Sequence, residues 1–116
     1  MPVTVSSSST KKSLQLTAIV DTGTSVTALA QRHIDYLGLR PIGSMNVNDK
    51  DGASTPTLLY RADIILNGVQ GIRDWRIMGC PIPGDDMLLG MDILSYCAIQ
   101  MGPTKDGGFG ITIALP

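Results

Sequence analysis

The residues with the clearest chemical potential are Asp21 and the four small residues that follow it, in the stretch L-T-A-I-V-D-T-G-T-S spanning residues 16–25. A carboxylate at the end of a β-prone, mostly apolar run is costly to bury without partners. Thr22, Gly23, Thr24 and Ser25 supply hydroxyls and a pliable backbone with almost no bulk. Taken alone, these residue types also suit a plain turn at a strand end. Cys80, Cys97 and His33 are the soft metal-ligand types, but they show no C-x-x-C or H-x-x-x-H spacing. They are read as free thiols and a lone histidine, with no metal site.

The elements around Asp21 point to a mostly-β chain. Thirteen glycines and seven prolines among 116 residues punctuate short β-branched runs, the pattern of strands joined by tight turns. Strands are expected at 3–7, 14–20, 58–66, 75–79, 98–101 and 109–114, the first two joined as a hairpin through the polar bend at 8–12. Asn67-Gly68, Asp106-Gly107 and the stretch 49–52 carry hairpin-turn chemistry. A helix is expected over 26–37, with Ser25 as N-cap, Leu29, Ile34 and Leu37 on its apolar face and Gly38 as its stop. A second, short one is expected at 92–96, with Asp92 in its first turn.

The chain is expected to form a single domain over 1–116 with one modest core. Its net charge is -1 and no basic stripe stands out, which argues against nucleic acid as a partner. No apolar run approaches a membrane span. The polar, Ser-rich first twelve residues lack the apolar core of a signal peptide, and with only two cysteines a cytoplasmic location is the expectation.

A second motif decides between the readings of the first. Residues 21–27 fit the D-x-G-T-[ST]-x-[ST] phosphate hairpin of sugar kinases and actin-like ATPases, but those folds close two large domains around a nucleotide, and this chain is far too short. Met87-Leu88-Leu89-Gly90-Met91-Asp92-Ile93-Leu94 instead repeats the hydrophobic-then-glycine character of A-I-V-D-T-G. With Val20-Asp21-Thr22-Gly23-Thr24-Ser25 preceding it in order, the chain resembles the retropepsin-like aspartic proteases, the family of retroviral and retrotransposon proteases and their small cellular and bacterial relatives. The resemblance covers about residues 14–96, and L-L-G-M-D-I-L is similar to bacterial and retrotransposon members. Met91 stands where viral enzymes place an arginine.

The resemblance implies a closed, retropepsin-like (acid protease) β-barrel with one short C-terminal helix and an extra helix after the D-T-G loop. It implies an aspartic endopeptidase acting on polypeptide substrate. That chemistry uses two carboxylates sharing one proton, with a water between them, and this sequence holds one D-T-G. The enzyme is therefore expected to be a homodimer with its axis through the site. Asp21 would be the catalytic group. Gly23 would admit close approach of its N–H, Thr22 would bond the partner's loop, and Thr24 would donate to Asp21. Leu88, Leu89 and Gly90 would wall the substrate pockets and pack under the loop. A flap hairpin at 46–56, with Gly52 and Ala53 at its tip, would cover the substrate. Residues 109–115, joined by 3–7, would interleave at the dimer interface. Residues 81–86 precede the second motif at the expected rim of the cleft; Asp85 and Asp86 are read as a solvated acidic turn, with a preference for basic substrate side chains as the alternative. No cofactor is implied. The rival reading is a non-catalytic peptide-binding or dimerisation module on the same fold.

Overall fold

The computed structural model describes residues 1–48, 52–66, 70–82, 84, 86–96, 98–103 and 109–114. The turn dipeptides Asn67-Gly68 and Asp106-Gly107, residues 49–51 of the expected flap tip, Asp85 and Cys97 lie outside them.

Alternation builds the first hairpin. β1 (Pro2–Ser6) and β2 (Ser13–Val20) pair antiparallel, with Val3 opposite Leu16 and Val5 opposite Leu14. Val3, Val5, Leu16 and Ala18 are buried while Gln15, Thr17 and Ile19 face out, the period of two that a half-buried strand demands. The bend between them is closed by Ser7 N–H donating to the Lys12 carbonyl at 2.9 Å, with Lys11 in the left-handed region at φ 62.

Six strands close a barrel. Around it run β1, β2, β7 (Met87–Leu89), β3 (Ala28–Ala30), β6 (Gln70–Cys80) and β5 (Ser54–Leu66), and β5 pairs back onto β1 through Val3 opposite Leu66 and Val5 opposite Ile64. β4 (Gly43–Asn48) adds to the outer part of β5 and forms a hairpin with it, Asn46 opposite Pro56 and Asn48 opposite Ser54. β8 (Ala98–Pro103) and β9 (Phe109–Ala114) form a separate antiparallel pair. β1 belongs to the barrel rather than to that pair, because its buried valines are needed to close the gap between β2 and β5.

The interior holds Val5, Leu29, Ile64, Ile77, Met87 and Leu89, with Ile34, Leu37, Ile93 and Leu94 contributed by two short helices. Each such side chain, removed from water, contributes about 1.5–3 kcal/mol. The barrel therefore forms a stiff frame under the loop that follows β2.

The helix expected over 26–37 is shorter. Ala28, Leu29 and Ala30 form β3, parallel to β6 and antiparallel to β7, and only Gln31–Leu37 is helical, as α1. Three successive residues with no exposure fit a strand covered on both faces, whereas a surface helix buries only one stripe. Barrel closure thus overrides the helix propensity of the alanines. Ala30, not Ser25, is the N-cap, and its side chain makes no cap bond. Ile34 and Leu37 do face the core, and Gly38 ends the helix at φ 68. Thr10 Oγ1 donates to the Leu37 carbonyl at 2.8 Å, tying the β1–β2 bend to that helix end. α2 (Met91–Leu94) follows β7 directly, with Asp92 in its first turn.

Candidate active site

Asp21 follows the last residue of β2, and its backbone N–H donates to the Leu89 carbonyl at 3.0 Å, carrying the parallel β2–β7 ladder one step further. The chain then turns sharply, Thr24 N–H donating to the Asp21 carbonyl at 3.3 Å. The turn aims two donors at the carboxylate: Gly23 N–H reaches Oδ1 at 2.9 Å and Thr24 Oγ1 donates to Oδ2 at 2.7 Å. Both oxygens are thus held, and in the charge-assisted manner that favours the ionised form. The Thr24 hydroxyl, and after it the Gly23 N–H, holds the pKa of Asp21 below the ordinary carboxylate range, against a smaller opposing effect of burial. A Cβ on residue 23 would stand 3.2 Å from Asp21 Oδ1, so the small residue is what lets the N–H close in. Thr22 is exposed at the tip of the turn.

The second motif lies beneath. Gly90 is buried against the loop, and a Cβ there would stand 2.9 Å from the Thr24 carbonyl oxygen, 2.9 Å from Val26 C and 3.0 Å from Thr27 N. Met91 N–H donates to the Thr24 carbonyl at 2.7 Å, and Gly90 N–H donates to Thr27 Oγ1 at 3.1 Å. The two strands β2 and β7, running side by side, deliver Asp21 and Gly90 to the same end of the barrel.

The residues named for the substrate pocket separate by strand alternation. Leu89 is fully buried and belongs to the main core beneath the loop. Gly90 is likewise buried. Leu88, pointing the other way, keeps part of its surface and packs against Ala28, Ala30 and Ile82. An open groove of about 450 Å³ instead runs between the loop and β4, lined by Gly23, Thr24 and Val26 on one side, Met45 and Val47 on the other, and Met78 of β6. Gly52, at φ 79, and Ala53 are exposed beyond it at the end of the β4–β5 hairpin.

Two sets of contacts are invisible in the sequence. Asp92 accepts from Thr27 Oγ1 at 2.8 Å and Thr27 N–H at 3.0 Å, from Trp75 Nε1 at 2.9 Å, and from the N–H of Ile93 at 2.9 Å. It therefore pins the far end of the Asp21 loop to α2, and it fixes Trp75, whose ring meets Tyr96 edge-on with centroids 6.2 Å apart. The one available signal was an acidic residue directly after L-L-G-M; nothing in the sequence pairs it with a threonine 65 positions away. Asp86, read as part of a solvated turn, is engaged by Arg32 Nη2 at 2.9 Å and His33 Nε2 at 2.8 Å. The His33 bond foremost holds its carboxyl below the ordinary range. Among the described residues no three His, Cys, Asp or Glu side chains gather as metal ligands. Cys80 is a half-buried free thiol, and burial pushes its pKa up.

Comparison with known proteins bears on the family and the fold. The family model described as "gag-polyprotein putative aspartyl protease" matches residues 10–96. The fold is similar to that of EIAV protease, solved in complex with the inhibitor HBY-793, with a TM-score of 0.61, 23% identity, and 82% of this chain matched to 83% of that one. It is similar to a retropepsin-like aspartic protease from Rickettsia conorii, with a TM-score of 0.55 and 18% identity over 88% of this chain and 77% of that one. The retroviral protease-like domain of Ddi1 from Leishmania major matches 96% of this chain and 90% of its own, with a TM-score of 0.57 and 13% identity. Among proteins with curated descriptions, none matches the sequence. The closed barrel with two short helices is the retropepsin fold.

Proposed function

Because the chain belongs to the gag-polyprotein aspartyl protease family, we propose that it is an aspartic endopeptidase that works as a homodimer, each subunit contributing one Asp21. The observation that carries this reading is the held carboxylate of Asp21, bonded through both oxygens by Gly23 and Thr24, two residues that line a groove between this loop and β4. Among the described residues no second carboxyl is bonded to Asp21, and acid–base work of this kind needs one. A two-fold axis beside Thr22 and Gly23 brings a second one to it.

Two carboxyls a few ångströms apart do not both ionise at modest cost, so they share one proton and titrate as a pair. The ionised member takes a proton from a water as its oxygen attacks the scissile carbonyl carbon. The protonated member bonds the carbonyl oxygen as it becomes tetrahedral. The C–N bond then breaks, and the leaving amine receives a proton from the pair. Water and the shared proton balance the reaction, so no metal or organic cofactor is needed. The exposed Thr22 hydroxyl bonds the partner's loop and holds the pair in register. The β4–β5 hairpin closes over the peptide, excluding bulk water and donating backbone hydrogen bonds.

Incubation of the protein with a denatured polypeptide at pH 4–6, with and without a statine-type inhibitor, tests this directly. Cleavage is expected that the inhibitor blocks and that Asp21→Asn abolishes. Cleavage surviving that substitution overturns the assignment, and peptide binding without any cleavage favours the non-catalytic module.

A further inference from the structure

A second groove, of about 400 Å³, adjoins the first and is lined by Ser25, Val26, Arg61, Trp75 and Arg76. Ser25 and Val26 line both, so a polypeptide lying along the Asp21 loop passes from one into the other. Arg61 and Arg76 stand directly opposite each other on β5 and β6, and both are exposed. Cross-strand partners project to the same face with Cβ atoms roughly 5 Å apart, and like charges in that position destabilise the pair. Among the described residues neither guanidinium has an ion-pair partner.

Asp74 and Asp92 line the groove as well, but among the described residues neither forms an ion pair with Arg61 or Arg76. The Asp92 oxygens are occupied by Thr27, Trp75 and Ile93. Asp74 is exposed, sits in the left-handed region at φ 51 beside the irregularity between Ala62 and Ile64, and makes no ion pair with either arginine. Trp75, pinned through its Nε1 and braced by Tyr96, forms a fixed apolar wall. The groove therefore combines a rigid aromatic face with two cations in need of an anion, at a place the substrate path reaches.

We propose that this groove is a distal subsite that selects an aspartate or glutamate of the polypeptide substrate, a few residues away from the bond to be cut, through Arg61 and Arg76. The inference builds on the endopeptidase reading, and a two-fold dimer would carry one such subsite towards each end of the substrate. Two solvent-exposed arginine–carboxylate contacts give a preference of about fivefold over an uncharged residue, and salt weakens it.

The test uses a synthetic library of randomised ten-residue peptides in two arms. In the first, the full-length protein digests the library and the cleaved products are sequenced. In the second, the Asp21→Asn protein selects binders from the same library, so the subsite is read even if no bond is cut. Failure of the first arm alone then counts against the hydrolytic reading and not against the subsite. Enrichment of Asp and Glu at flanking positions is expected, falling in 0.5 M salt, lost in Arg61→Gln/Arg76→Gln and retained in Arg61→Lys/Arg76→Lys. Equal use of acidic and neutral flanks in both arms overturns the inference, as does an acidic preference that survives the double glutamine variant.

Discussion

Gly90→Ala is the substitution whose effect follows most directly from geometry. Residue 90 has φ -91 and ψ 177, conformations open to any amino acid, so backbone strain is not the issue. The obstacle is space: the added methyl would stand at 2.9 Å from the Thr24 oxygen and Val26 C, and at 3.0 Å from Thr27 N. All three are backbone atoms of the Asp21 loop, and no rotamer change relieves them. Relief requires the loop and the β7–α2 junction to part by roughly half an ångström, which stretches the Met91–Thr24 bond of 2.7 Å and the Gly90–Thr27 bond of 3.1 Å. Overpacking of this kind costs ~1–3 kcal/mol and a weakened buried hydrogen bond ~0.5–1.5 kcal/mol, about 2–4 kcal/mol together. Urea unfolding at matched protein concentration should then show a midpoint lower by roughly 1–2 M with little change in slope. Gly43→Ala serves as the control, because nothing lies within 4 Å of the Cβ it would add. If Gly90→Ala unfolds like that control, within about 0.5 kcal/mol, the close-approach argument is wrong and the glycine has another reason to be there.

Thr24→Ala removes the principal donor that holds the pKa of Asp21 down, so the acid limb of the pH–activity profile should move to higher pH. An unmoved limb refutes the role given to the hydroxyl. Asp92→Asn replaces one acceptor oxygen by an NH2 that must face Trp75 Nε1–H or Thr27, at a cost of ~1–3 kcal/mol. Trp75 is the sole tryptophan, so a shifted emission maximum in the folded variant should report the lost bond, and identical emission would count against it. Asp86→Asn releases Arg32 and His33 and should cost ~0.5–1 kcal/mol near pH 7. Since the folded Asp86 carboxyl is more acidic than usual, that contribution is present above the unfolded value of about 3.9 and is lost as pH falls through the folded one. The stability gap between the two proteins should therefore close in acid, and a gap that persists refutes the assignment.

Local patterns made much of the molecule legible. Period-two alternation placed β1 and β2 almost to the residue, and β9 likewise, while hairpin chemistry bracketed β4 and β5. The Asp21 loop and Gly90 were readable only together, because small residues after an aspartate also suit a plain turn and the L-L-G-M-D stretch following in order decides between the readings. The segment 26–30 misled because its alanines favour a helix locally, while β6 and β7 on either side make Ala28–Ala30 a strand. A hydrophobic motif does not state which of its residues alternation turns inward: Leu89 is fully buried, while Leu88 keeps part of its surface. The Asp92–Thr27–Trp75 contacts, the Asp86 cluster and the Arg61–Arg76 juxtaposition are long-range pairs, and no one-dimensional period encodes which distant strands meet.

The loop also links acidity to assembly. In one chain the Asp21 carboxyl is more acidic than an ordinary aspartate because Thr24 and Gly23 both donate to its charged form. Near neutral pH two separate subunits therefore arrive with both carboxylates ionised. Facing each other across the proposed axis, the pair holds one proton between them, so association takes up a proton that the free subunits lack. Linkage then requires the dimer to tighten as pH falls, approaching tenfold per pH unit where the uptake is complete. The gain should level off at low pH, once the free subunits bind the proton themselves. Sedimentation equilibrium between pH 7 and 4 measures this, and Asp21→Asn should flatten the dependence because a neutral pair takes up no proton. A dimer affinity that is the same at every pH in the wild type would mean that the two carboxylates do not meet, and the water between them would have no base to take its proton.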